Sequence, residues 1–139
     1  MNGETEGAMK QMRGVETEKA PKAMGPYTQA IVAGEMVFVS AQFPVAPETG
    51  LLVADDIRSQ TRRVIENLGA ILDAAGSSLS LVVKTTVFLT DLGDFSAMNE
   101  VYAEYFTGKP ARSTIEVSRL PKDSRTGMDC IAVIPDHRD

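Results

Sequence analysis

The chain has 139 residues, 43% of them hydrophobic and 24% charged, a globular composition at the scale of one domain. The net charge of −5 argues against a dedicated nucleic-acid binder, whose affinity comes from clustered Lys and Arg. The one cysteine, Cys130, excludes an internal disulfide framework, and the one histidine, His137 near the C-terminus, argues against a His-based triad or cluster.

Residues 1–17 are polar and aperiodic and read as a disordered tail, with a single domain over 18–136 whose structure starts near Ala20-Pro21. Acidic residues in the tail, no apolar leader and no run of about 20 apolar residues point to a cytoplasmic protein. Tyr27–Val32 and Met36–Ala41, separated by Gly34, predict a β-hairpin. Its second arm sets Val37, Val39 and Ala41 against Met36, Phe38 and Ser40. Over Asp55–Ala75 the apolar stripe of Ile57, Val64, Leu68, Ile71, Leu72 and Ala75 predicts a helix that Gly76 ends.

Leu81–Leu89 reads as a central strand. Asp94–Phe106 is expected to be a helix presenting Phe95, Met98, Tyr102, Tyr105 and Phe106 to the core. Strands follow at Arg112–Val117 and Met128–Ile134, the latter with Cys130 as a small core residue. The order β-β-α-β-α-β-β predicts an α+β domain, a mixed sheet with two helices on one face. The other face then needs a further layer, which a chain this short supplies by self-association.

Two polar residues stand out. Arg112 shares a strand face with Thr114 and Glu116 and reads either as an exposed strand end paired with Glu116 or as a fork for a carboxylate. Asn99, four residues after Phe95 and three before Tyr102, lies beside the apolar stripe, placed to satisfy a loop carbonyl or to bond a ligand. Tyr27 and Ser40 read from spacing alone as a half-buried aromatic and a strand-end hydroxyl.

Six segments nevertheless resemble the YjgF/YER057c/UK114 family, also called the RidA family. They are Gly25-Pro26-Tyr27-Thr28-Gln29-Ala30, Val39-Ser40-Ala41-Gln42, Asn67-Leu68 with Ala74–Ser78, Val83–Leu89, Met98-Asn99 with Tyr102, and Pro110-Ala111-Arg112-Ser113-Thr114. The resemblance spans about residues 18–134. It implies a chorismate-mutase-like subunit in a homotrimer, strands forming a central barrel and ligand clefts lying between subunits. It also implies hydrolysis of 2-iminobutanoate and 2-iminopropanoate to 2-oxo acids and ammonia, with no metal or organic cofactor.

On this resemblance Arg112 grips the substrate carboxylate. Tyr27, Ser40, Ala41 and Asn99 line the cleft, and Thr114 stands where many members have Cys and others Thr, so that its hydroxyl or backbone N–H contacts the ligand beside the catalytic Arg112. Ala41 replaces a Gly. The family Glu that positions the attacking water is Gly127 here, with Asp129 two residues on, which implies weakened turnover. A strand at that point is expected to accept Gly127→Glu unless Gly127 sits at positive φ. The alternatives to a deaminase are a non-catalytic trimer that binds small carboxylates and, less favoured, an endoribonuclease.

Overall fold

Asp56 starts the longer helix, its carboxylate accepting the Ser59 amide at 2.8 Å, and Gly76 ends it at φ 87°. Between them α1 (Ile57–Ala75) buries Val64, Ile65, Leu68, Ile71 and Leu72. The structure, a computed structural model, describes residues 12–135. His137 and residues 1–11 of the expected tail lie outside the described residues.

Six strands form one sheet: β1 (Met12–Val15), β2 (Ala30–Ala33), β3 (Met36–Gln42), β4 (Val82–Leu89), β5 (Ala111–Glu116) and β6 (Thr126–Val133). Their spatial order is β1-β2-β3-β6-β4-β5, with β4 and β5 parallel and every other pair antiparallel. The sheet is therefore mixed, as expected. α1 carries the chain from β3 to β4, and α2 (Phe95–Tyr105) from β4 to β5. Both helices cover the face bearing Val37, Val39, Thr85, Val87, Leu89, Met128, Cys130 and Ala132, all buried.

The tail boundary needs correction. Met12–Val15, expected in the disordered tail, pairs antiparallel with β2, Met12 opposite Ala33 and Val15 opposite Ala30. Val15 enters the core, and Arg13 Nη2 donates to the Ala75 carbonyl at the end of α1. Backbone pairing to a distant strand leaves no local hydrophobic period, so the segment looks like tail in the sequence. The hairpin also starts later than expected. β2 begins at Ala30, leaving Tyr27 outside the strand, and the two-residue turn Gly34-Glu35 uses Gly34 at φ 61°.

On α2 Met98 and Tyr102, and just past its end Phe106, reach the core as expected and Tyr105 is partly buried, but Phe95 is 36% exposed. Among the described residues no helix covers the opposite face of the sheet. Ile31, Phe38 and Ile131 align across β2, β3 and β6 there, with Phe38 and Ile115 each 44% exposed. Among the described residues no helix is long and apolar enough to cross a membrane.

Candidate active site

Arg112 lies on β5 opposite Thr85 of β4, facing α2. Its Nη1 donates to Asn99 Oδ1 at 2.8 Å. Its Cζ stands 4.7 Å from the Tyr102 ring centroid and 5.5 Å from that of Phe95, within range of cation–π attraction. Phe95, Asn99 and Tyr102 fall at i, i+4 and i+7 on α2, so one helix face supplies both the hydrogen-bond acceptor and the aromatic walls. Tyr102 is fixed in turn by a 2.8 Å bond to the buried Thr85 hydroxyl. Burial pushes the Tyr102 hydroxyl above its ordinary pKa, against the Thr85 bond and the Arg112 charge, so it stays a neutral phenol beside the guanidinium.

No carboxylate among the described residues lies within ion-pair distance of Arg112. The Arg112–Glu116 pairing that one reading of the sequence allowed is not formed; Glu116 instead accepts the Leu92 amide at 2.8 Å. Asn99 turns toward Arg112 rather than toward a loop carbonyl. Thr114, two residues beyond Arg112 and opposite Val87, shares its face of β5. Asn99, Tyr102, Phe106, Lys109, Pro110 and Arg112 border an open cleft.

Tyr27 and Ala41 lie elsewhere, along a second cleft with Phe43, Val45 and Pro121. Gln29, 1% exposed, holds the wall of this cleft: its amide donates to the Thr17 and Pro21 carbonyls at 3.1 and 2.9 Å and accepts the Thr17 amide at 2.7 Å. The Tyr27 hydroxyl accepts the Met24 amide at 3.3 Å. Ser40 donates to the Thr28 carbonyl at 2.6 Å, leaving its lone pairs, but not its proton, for a ligand. A register shift between Val39 and Gln42 interrupts the alternation of β3, so that Gln42 is buried and Ala41 borders the cleft.

The expected site residues therefore form two separate groups in one protomer. β3 and β5 are separated by β6 and β4, about 14 Å at roughly 4.8 Å per strand. Ser40 alternates with the buried Val37 and Val39 and so faces away from the helices, whereas Arg112 faces α2. No single ligand of a few carbons bridges them within one chain.

At position 127 the sequence-based expectation fails. Gly127 is buried on β6, and a Cβ there would sit 2.6 Å from Phe43 Cε1 and 2.7 Å from Phe43 Cδ1. Its φ is not positive, so its own backbone conformation allows a side chain; the Phe43 ring opposes one, with the Gln42 carbonyl oxygen 3.1 Å from the same point. The strand does not accept Gly127→Glu while that ring stays in place. Asp129 projects from the helix-free face, where burial raises its carboxyl pKa against the opposing effects of Thr86 and Lys84.

Phe95, Tyr102, Phe43 and Asn67 escaped the sequence-based assignment of site residues. Asn67, fully buried on α1, donates to the Phe43 and Val45 carbonyls at 3.1 and 3.0 Å and accepts from Arg63 Nε at 3.1 Å, which fixes the loop carrying the Phe43 ring. An amide four residues from an arginine, next to the apolar stripe of an amphipathic helix, was the available signal. No group of metal-ligating side chains occurs among the described residues.

The family model Endoribonuclease L-PSP, which represents the YjgF/RidA family, matches residues 17–134. The chain belongs to this family. It is 61% identical over 117 residues to a RutC family protein of Pyrococcus abyssi, covering 84% of this chain and 92% of that one. It is 49% identical over 121 residues to Reactive Intermediate Deaminase A, chloroplastic, of Arabidopsis thaliana, covering 86% of this chain and 65% of that protein. Among solved structures, Escherichia coli TdcF with bound serine superposes with a TM-score of 0.84 at 46% identity, covering 88% of this chain and 99% of TdcF. The YjgF/RidA family thus includes reactive intermediate deaminases.

Proposed function

We propose that this protein hydrolyses small 2-imino acids to 2-oxo acids and ammonia, in sites that two protomers build together. The observation that carries this reading is Arg112, a guanidinium held between Asn99, Tyr102 and Phe95 with no carboxylate among the described residues at ion-pair distance. A guanidinium so braced offers its remaining N–H fork to a ligand carboxylate. The deaminase name of the Arabidopsis relative and the amino acid bound to TdcF support the same ligand class.

The two groups of site residues are completed by association. The helix-free sheet face, with Phe38 and Ile115 exposed, is an apolar surface suited to burial between copies of the chain. We infer a homotrimer in which the Arg112, Asn99 and Thr114 side of one protomer meets the Tyr27, Ser40 and Ala41 side of the next.

In the reaction water adds to the C=N carbon, the nitrogen takes a proton, and the carbinolamine expels ammonia to leave C=O. Arg112 fixes the carboxylate, and Thr114 and Ser40 supply oxygens near the reacting carbon. Orientation in a dry cleft lowers the barrier of an addition that already runs in water. Position 127 supplies no base, and the absence of a general base costs a factor of about 10² to 10⁴. We infer slow turnover.

Gly127 also favours a second reading, a carboxylate-binding module without turnover. The endoribonuclease activity in the family description has less support, because the chain carries a net charge of −5. We place the protein in the cytoplasm, where the unpaired Cys130 stays reduced. Freshly generated 2-iminobutanoate, assayed beside a titration with 2-oxobutanoate, decides between the two readings. Binding with accelerated ammonia release is expected; binding without it establishes the module, and neither overturns both.

A further inference from the structure

The cleft beside Tyr27 has a volume of about 440 Å³, within the range of small-molecule sites. Tyr27, Phe43, Val45, Pro47 and Pro121 make most of its wall apolar. Among the described residues the charged ones along it are Lys22 and Lys122, both exposed, and no carboxylate lines it. An apolar wall with a cationic rim suits an anion with an apolar body.

Phe43 decides the shape of that wall. Its ring lies where a side chain at 127 would stand, 2.6 Å from an ideal Cβ there, and its loop is tied to α1 by both Asn67 bonds. The ring is only partly buried, so one part packs on Gly127 and the rest faces the cleft. Glycine at 127 thus lets an aromatic surface occupy the floor, and a polar group at that position is excluded by volume.

We propose that Phe43, seated on Gly127, is a specificity-determining residue that selects 2-imino and 2-oxo carboxylates with branched or long apolar side chains over those with a methyl or hydroxymethyl group. The inference rests on the reading that the Tyr27–Ala41 cleft is one half of the substrate site. Each additional methylene buried against such a wall is worth roughly 10- to 200-fold in discrimination.

Isothermal titration of the full chain with 4-methyl-2-oxopentanoate and with 2-oxopropanoate tests it. The wild-type protein is expected to bind the branched acid at least about tenfold more tightly. Phe43→Ala is expected to bring the ratio close to one, and Phe43→Leu, which keeps an apolar wall and serves if the alanine variant fails to fold, to an intermediate value. Equal wild-type affinities, or a ratio unchanged in the folded Phe43 variants, overturn the proposal. Arg112→Ala separates the two readings, since loss of the carboxylate contact weakens both acids alike and leaves their ratio intact. Normal binding by Arg112→Ala refutes the carboxylate fork, and absent imine turnover with the ratio preserved refutes only the hydrolysis.

Discussion

Arg112 of β5 and Asn99 of α2 are joined by a 2.8 Å hydrogen bond in which the amide oxygen, not a carboxylate, receives the guanidinium. A neutral acceptor orients the arginine while leaving its charge uncompensated. An aspartate in the same place would orient it equally well and would also neutralise it. The Tyr102 and Phe95 rings hold the cation from the sides without offering a formal negative charge. The arrangement is organised before any anion arrives, which lowers the ordering cost of binding.

Arg112→Ala is therefore expected to lose about 2–5 kcal/mol of affinity for 2-oxobutanoate where the pair is shielded from water, as in the proposed intersubunit site, with an unchanged circular dichroism spectrum. Arg112→Lys recovers little, since an ammonium cannot reproduce the planar fork. Calorimetric titration of the two variants reads the difference, and wild-type affinity in either one refutes the clamp.

Asn67→Ala leaves the Phe43 and Val45 carbonyls without their side-chain donor. An unsatisfied buried polar group costs about 1–3 kcal/mol, so a fall of several degrees in Tm is expected. The freed loop also relaxes the Phe43 ring, and the preference for branched 2-oxo acids should narrow. Thermal denaturation and ligand titration on one preparation measure both effects.

Asp129 has its pKa raised in the folded protein, first by burial. A raised carboxyl pKa favours the protonated fold, so its contribution to stability is full below the unfolded value of about 3.9 and is lost as pH rises through the folded value. At neutral pH the buried charge opposes folding. Asp129→Asn, which keeps a partner for Thr86, is expected to be more stable than wild type at pH 7 and to converge with it near pH 3. Urea denaturation at the two pH values tests the sign, and a variant less stable at pH 7 contradicts it.

Cys130 is buried on β6, and burial, followed by the nearby Asp129, pushes its thiol up to about 12. The thiolate is the reactive form. At pH 8 the folded protein should react with a thiol reagent far more slowly than the chain in guanidinium, and Cys130→Ala should retain ligand binding. Equal labelling rates in the two states would show the thiol to be accessible.

Local chemistry alone determines much of this protein. The Asp56 cap, the stripe on α1 and Gly76 delimit a helix because capping and amphipathic spacing act within a few residues. Alternation likewise sets Cys130 in the core and Arg112 beside Thr114 on one face of β5. The six family-like segments named the candidate residues, because side-chain identity is a property of the sequence. Tertiary structure decided what those residues meet. Met12–Val15 becomes a strand only through backbone pairing with β2. Phe95 leaves the core to flank a guanidinium from another element, and Ser40 and Arg112 end on opposite faces of the sheet. At 127 the outcome depends on a ring from the loop after β3: Phe43 and Gly127 are far apart in the chain, and steric exclusion between them arises only when β3 and β6 pair.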